Sequence, residues 1–527
     1  MENTTIIRNL IPQFSELSNK LADQLDLNFA LPLPFSKNNI EKQLTIKALA
    51  YPNSHRTVLV DSLKSQYSQL GILEDRLEAL AQLAEQNTFV VTTGHQLNVA
   101  TGPLYFLIKI IQTIKLANEL QVLHPTKKIL PVFWMASEDH DLEEIKSLSL
   151  FNTKHTWKSE QTGAVGRMST ENLAELKQEL LTQFVTAPQL SELTELFEQY
   201  NGKTLADATF KLVHHLFKTS ELIIINADCK ALKQLFAPTM LSEIHERFAQ
   251  TAVQAQNKVL EDNGLKNQAF VRDINLFYLS KSGREKLLVS KKGVQIENVG
   301  DFTRDEIAAM LSSEPQNFSP NVILRPLYQE TILPNLVYTG GAGELAYWLQ
   351  LKGVFAKVNV PFPLILLRNS LVIVSKNNSK KITKLGITLQ DLFQDWQTVS
   401  KTWIASQGED NLEHDIESAF HRFSQEITNL LTKNDPNSKT LAAIQTSMLL
   451  KQQASLIQRL TKEKKQKFEI ELKQLEDLQE KINPNGHLME RSQNFLNFLG
   501  NLSIQEFIQL LYTCISNENQ DLKVIDN

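Results

Sequence analysis

Thr88-Phe-Val-Val-Thr-Thr93, then Gly94-His-Gln-Leu-Asn-Val-Ala-Thr-Gly102 and Pro103, and further on Ile129-Leu-Pro-Val-Phe-Trp-Met-Ala136 running into Ser137-Glu-Asp-His-Asp141: this stretch decides the fold. The first run is short, β-branched and bounded by Asn87 and Gly94, so it reads as a buried strand. Pro103 suits the first turn of a helix, where its missing N–H costs nothing. Leu104, Leu107, Ile111 and Ile114 then recur at steps of three and four, one apolar stripe against a sheet. The second apolar run is almost unbroken, as a parallel strand covered on both faces requires. The whole reads as a βαβ unit.

Working outward, Leu222–Asn226, Val322–Arg325, Leu336–Thr339 and Leu364–Arg368 are further strand candidates, which together predict an α/β fold with a Rossmann-like, mostly parallel open sheet. About 85 residues separate the second strand from the third and about 95 the third from the fourth, far more than a crossover needs. Both gaps therefore read as inserted subdomains. The first carries the Gly163-Ala-Val-Gly166 turn and then helices. The second holds a meander of Asn275–Leu279, Lys286–Val289 and Val294–Ile296, broken at Ser282-Gly283 and Lys292-Gly293. Beyond Gln390 the spacing turns helical through Leu392, Trp396, Val399 and Trp403, then from Leu412 to Leu430. A third run goes from Leu456 through Phe468 to Ile482, with Asn434-Asp-Pro-Asn437 as a break. That predicts a C-terminal helical hairpin or coiled coil, whose stripe serves either a partner or the chain's own packing. The expected organisation is core over 1–151, a helical insertion over 152–217, a core strand over 218–239, an α/β-meander insertion over 240–320 and the last part of the core over 321–385. A coiled coil over 386–483 and a tail over 484–527 that packs back on the core complete it.

The 527 residues leave ample room for several domain-sized units. Lys and Arg number 54 against 59 Asp and Glu, a net charge of −5, which argues against nucleic acid as a partner. Hydrophobic residues at 42% and charged residues at 21% mark an ordinary globular chain. Cys229 and Cys514 lie far apart, so neither a disulfide framework nor a thiolate zinc site is expected, in keeping with a cytoplasmic location. Met1–Leu25 lacks a signal-peptide core, and no apolar run approaches the ~20 residues of a membrane span.

Three polar clusters fall at strand ends, where open α/β sheets collect ligands. His95 and Gln96, with the helix N–H groups behind Gly102 and Pro103, offer an anion site; alternatively they satisfy the loop backbone. Glu138, Asp139, His140 and Asp141 follow directly on an apolar strand, a costly place for titratable groups unless they bind something or one another; a solvated turn is the plainer alternative. Tyr338-Thr-Gly-Gly-Ala-Gly-Glu344, with Tyr347, is strand, glycine loop and helix. Gly340 and Gly341 permit close backbone approach, and Glu344 suits an amine. It matches neither a P-loop nor the dinucleotide fingerprint. Arg325, with Gln329 nearby, is a carboxylate clamp or one half of a structural ion pair. The tail residues Gly486, His487, Glu490 and Arg491 carry two readings, a second site folded back on the core or a helix cap with a surface ion pair.

Taken in order, Thr93-Gly-His-Gln96, Thr101-Gly-Pro-Leu-Tyr105, Pro131-Val-Phe-Trp134 into Ser137–Asp141, Leu324-Arg-Pro-Leu-Tyr-Gln329, Tyr338–Trp348 and Pro484-Asn-Gly-His-Leu-Met-Glu-Arg491 make the chain resemble the bacillithiol biosynthesis cysteine-adding enzymes along essentially its whole length. The resemblance implies a Rossmann-like core with two connecting subdomains, and a coiled coil through which the family forms homodimers. It also implies the last step of bacillithiol synthesis, joining the cysteine carboxyl to the amine of glucosaminyl malate. Gln in place of His at position 95 is compatible with the family pattern, which speaks against an obligatory metal ligand there. Amide formation needs an activated carboxyl, normally through ATP, and a base for the amine, for which His140 held by Asp139 or Asp141 is the candidate. Glu344 and Tyr347 would position an ammonium or sugar hydroxyl. No metal is expected. The rival reading is a metal-dependent hydrolase of a small amide or sugar built on His95, Glu138, Asp139 and His140; a noncatalytic coiled-coil scaffold leaves the acidic strand end unexplained.

Overall fold

The computed structural model describes residues 4–23, 27–280, 283–407, 412–434 and 438–526. Its centre is a five-stranded, wholly parallel sheet of β1 (Thr88–His95), β2 (Lys128–Met135), β3 (Ile223–Asn226), β4 (Asn335–Gly340) and β5 (Leu364–Leu367), in the spatial order β5-β4-β1-β2-β3. Period-two alternation splits the strands between two cores. Phe89, Val91, Ile129, Leu336 and Leu364 pack with Ile40 and Leu44 of the helix Lys37–Ala50, while Val90, Leu130, Val132 and Ile365 belong to the main core. Helix α1 (Tyr105–Leu123) links β1 to β2 and packs on both, completing the βαβ unit.

One expected core strand is absent. Val322–Arg325 is a turn leading into helix α2 (Arg325–Ile332), whose first turn carries Pro326. The strand there, Phe318–Pro320, ends two residues earlier and pairs antiparallel with Leu276–Leu279 in a second, five-stranded sheet with Arg284–Val289, Val294–Ile296 and Gly300–Phe302. The apolar triplet Val322-Ile-Leu324 is too short to distinguish strand from helix, and Pro at a helix start overrides it. Ser282, within the meander's first turn, lies outside the described residues.

Glycine-loop helix α3 (Ala342–Trp348) follows β4, with Gly341 as its N-cap. Chain ends meet beside the core, where Leu522–Asp526 runs between Thr4–Ile6 and Leu371–Val374. Helices α4 (Leu412–Asn434) and α5 (Lys439–Lys467) pack along each other, and Asp435-Pro-Asn437 of the expected break lies outside the described residues. The third helical run is interrupted at Phe468, after which α6 (Glu469–Ile482) buries Leu475, Leu478 and Ile482 and contacts the turn Asp391–Phe393. No helix among the described residues is long and apolar enough to cross a membrane.

Candidate active site

Along the sheet the chain order runs one way from β1 to β2 to β3 and the other way from β4 to β5, so the topology switches between β1 and β4. In open α/β sheets the crevice beyond the strands' carboxyl ends at such a switch is where ligands bind. A cavity of about 770 Å³ lies there, floored by Gly94 and His95 from β1, Trp134 and Met135 from β2 and Tyr338 from β4. This is the size of a small-molecule site.

Of the candidates, His95, Gln96, Glu138, Asp139, Arg325, Tyr338, Gly341, Glu344 and Tyr347 line this cavity. Gly102 and Pro103 do not. Pro103 lies just ahead of helix α1, whose N-cap is Leu104, and Gly102 ends three consecutive residues of positive φ, Ala100 at 45°, Thr101 at 71° and Gly102 at 61°. A Cβ on Gly102 would lie 2.5 Å from that of Asn98, so only glycine fits there. Buried Asn494 holds this loop by donating to the carbonyls of Ala100 and Gly102. Gly340 is buried at the end of β4, where a Cβ would meet Leu345 and Tyr338. Gln329 is wholly buried and accepts from the Arg325 guanidinium at 3.1 Å, so it holds Arg325 rather than lining the cavity itself. His140 and Asp141 stand at the rim: the His140 side chain is 52% exposed, with Nδ1 3.5 Å from Asp139, and Asp141 caps the short helix Leu142–Ile145.

Arg325 sits at the first residue of α2, giving Nη2 to the Tyr347 hydroxyl at 3.0 Å and facing the Tyr338 ring at 5.8 Å. It has no carboxylate partner among the described residues. Lys109, on the buried stripe of α1, reaches up to the Gly94 carbonyl and to both Glu344 oxygens at 2.8 and 2.7 Å. Glu344 also accepts the Gly341 N–H at 2.8 Å, closing a box at the start of α3. Burial pushes Glu344 upward, but the Lys109 charge and these bonds hold it below the usual carboxylate range. Burial lowers Lys109, with the charges of Arg368 and Arg325 adding to it against Glu344.

Gln96 donates to Asp139 at 2.9 Å. Burial opposes its ionisation, yet hydrogen bonds from His140 and Gln96 and the charge of Arg284 hold Asp139 far below the normal range. Glu138 pairs with buried Lys233 at 3.0 Å. His95 is pushed down to about 3, chiefly by burial and by Lys109, so its imidazole is neutral; Nδ1 lies 3.0 Å from the Gln96 carbonyl. The hydrolase reading needs His95, Glu138, Asp139 and His140 to converge, and among the described residues no group of three or more His, Cys, Asp or Glu side chains is placed to hold a metal ion.

Sequence reasoning passed over Tyr105, Lys109, Arg284 and Arg368, which also line the cavity. A signal existed for Lys109, a single charge inside the apolar run Phe106–Ile111. The tail reading of a surface ion pair is corrected: Glu490 is fully buried and bonds Arg368 at 2.7 Å, while His487 is exposed.

Parallel core, switch-point cavity and cation-rich lining define a Rossmann-like α/β enzyme acting on small molecules. Residues 8–369 match the family model described as bacillithiol biosynthesis BshC, N-terminal Rossmann-like domain, and residues 371–527 its C-terminal coiled-coil domain. Relatives named cysteine ligase BshC include those of Flavobacterium johnsoniae, 39% identical over 87% of both chains, and Cytophaga hutchinsonii, 35% identical over 88% of both. That of Bacillus cytotoxicus is 26% identical over 86% of this chain and 87% of its own. The chain belongs to the BshC family: it is a ligase of bacillithiol biosynthesis.

Proposed function

We propose that this cavity joins the carboxyl of cysteine to the amine of glucosaminyl malate, forming the amide of the pathway's last step. The observation that carries the reading is a half-buried guanidinium, Arg325, that has no carboxylate partner among the described residues and lies in the same cavity as the ionised Asp139. Arg325 and the Tyr347 hydroxyl take one malate carboxylate through charge-assisted hydrogen bonds. Asp139, fixed by Gln96, accepts N–H bonds from the attacking amine and orients it. His140, at the rim and close to Asp139, passes the displaced proton to solvent. Glu344, whose oxygens are taken by Lys109 and Gly341, shapes the site instead of binding an ammonium.

A free carboxylate is not an electrophile, so the cysteine carboxyl needs a leaving group, which ATP supplies when bound. Five lining cations, Lys109, Arg284, Arg325, Arg368 and Arg491, against the three carboxylates Glu138, Asp139 and Glu344 suit a polyanionic co-substrate. The exposed apolar residues Phe423 and Leu430 of α4 and Leu441, Ile444 and Met448 of α5 support a homodimer through the helical pair. Neither cysteine is in a disulfide, which agrees with work in the cytoplasm.

The test is incubation with cysteine and glucosaminyl malate, with and without ATP, followed by mass spectrometry. An amide product that requires both substrates and ATP is expected. Hydrolysis of glucosaminyl malate without any condensation product would contradict the reading.

A further inference from the structure

The segment after α6 returns to the core and supplies two adjacent residues with opposite fates. Glu490 is completely buried, accepting Arg368 Nη1 at 2.7 Å and the Leu371 N–H at 2.9 Å. Arg491, next in the chain, lines the cavity, and its side chain has no hydrogen bond or ion pair among the described residues. Arg368 lies across the Tyr105 ring at 4.9 Å and lines the same cavity. Its Nη1 is spent on Glu490 and the Asn369 carbonyl, while no described residue takes Nε or Nη2. Behind them Arg8 is buried, bonding Ser18, which is itself a cavity-lining residue. The charges of Arg8, Arg368 and Arg491 press on one another: burial first, and then Arg368, lower both Arg8 and Arg491. Two carboxylates, Glu490 and, beside Arg8, Asp521, stand against three guanidinium groups, which leaves one positive charge in excess. Clustered like charges are unfavourable unless an anion completes them.

We propose that Arg368 and Arg491 form an oxyanion subsite of the cavity, shared between the Rossmann-like core and the segment beyond the coiled coil. Arg368 is the fixed half, oriented by Glu490 and Tyr105. Arg491 is the open half and closes on the ligand. The ligand is a carboxylate or a phosphate, which present the same planar or near-planar pair of oxygens to a guanidinium fork. The cavity is thereby incomplete without the C-terminal segment, and the second malate carboxylate or the nucleotide phosphate of the proposed reaction has its place. This assignment rests on the ligation reading for its biological ligand, but the anion site itself is testable apart from it.

L-malate and inorganic pyrophosphate are the probes, titrated calorimetrically at fixed ionic strength into the full-length protein and its Arg491→Gln and Arg491→Lys variants. At least one probe should bind the native protein, and Arg491→Gln should weaken it about tenfold, the order of one charge-assisted hydrogen bond, with Arg491→Lys in between. A loss confined to pyrophosphate assigns the subsite to phosphate, and a loss confined to malate assigns it to the substrate carboxylate. No binding of either probe to the native protein, or an unchanged affinity for both in Arg491→Gln, overturns the proposal. Should the native protein make no amide while Arg491→Gln still weakens a probe, the ligation reading fails and the oxyanion subsite stands.

Discussion

Lys47 with Glu330 and Lys109 with Glu344 are the same two functional groups in two settings. The first pair, 2.9 Å apart, is sealed on all sides, with side-chain exposures of 1% and 0%; the second, 2.7 Å apart, leaves its carboxylate 31% exposed to the cavity. Burial raises Glu330 despite Lys47 and the donors Asn335 and Gln329, whereas Glu344 is lowered because Lys109 and the Gly341 N–H outweigh burial. A sealed pair is scaffold, kept because removing one partner strands the other. An open pair shapes the wall that meets the ligand, Glu344 anchoring Lys109 and the glycine loop there. The sealed pair still reaches the cavity wall, since Glu330 accepts from Gln329, which in turn holds Arg325.

The largest effect should come from breaking the sealed pair. Glu330→Ala leaves Lys47 as an uncompensated buried charge and should cost about 3–5 kcal/mol of stability by urea denaturation, while the remaining folded protein keeps its rate within several-fold. A rate loss beyond tenfold in fully folded protein would erase the distinction between the pairs. Next in size, Glu344→Gln should lower amide formation about hundredfold, roughly 2.7 kcal/mol at the barrier, because Lys109 and the α3 glycine loop lose their common anchor. Equal rates for Glu344→Gln and the native protein would place Glu344 with the scaffold.

Per unit of pH, the effect of acid is the smallest of the three. His95 has an ordinary value near 6.5 and a folded value of about 3. Between the two, the unfolded chain binds a proton that the folded one does not, so stability is fully present above about 6.5 and falls as pH drops, by at most about 1.4 kcal/mol per unit. His95→Gln should flatten the stability profile between about pH 4 and 6, measured by denaturant midpoints. An unchanged slope would mean that the imidazole is protonated in the folded state.

Where neighbouring residues decide the structure, the sequence was enough. The unit from Thr88 to Asp141 carries its strand, helix and strand in its own periodicity, and the position of β4 and β5 was visible in short β-branched and leucine runs. Val322-Ile-Leu324 misled because three apolar residues have no measurable period, although Arg325-Pro326 already marked a helix start. Gln329 reads in the sequence as part of the Arg325 clamp because its proximity to Arg325 is visible there while its burial is not. Arg368 and Glu490, 122 positions apart, meet only through the return of the tail, and no local pattern announces such a contact. The same holds for Thr4–Ile6 and Leu522–Asp526, paired across nearly the whole chain.

The central claim is that ligation occurs in the switch-point cavity between β1 and β4. Its most direct measurement is the initial rate of amide formation from cysteine, glucosaminyl malate and ATP by Arg325→Gln, beside the native protein, with folding checked by circular dichroism. A folded Arg325→Gln protein slowed about hundredfold, or roughly 2.7 kcal/mol, is the predicted result. A folded variant that makes the amide at the native rate would show that the chemistry happens elsewhere.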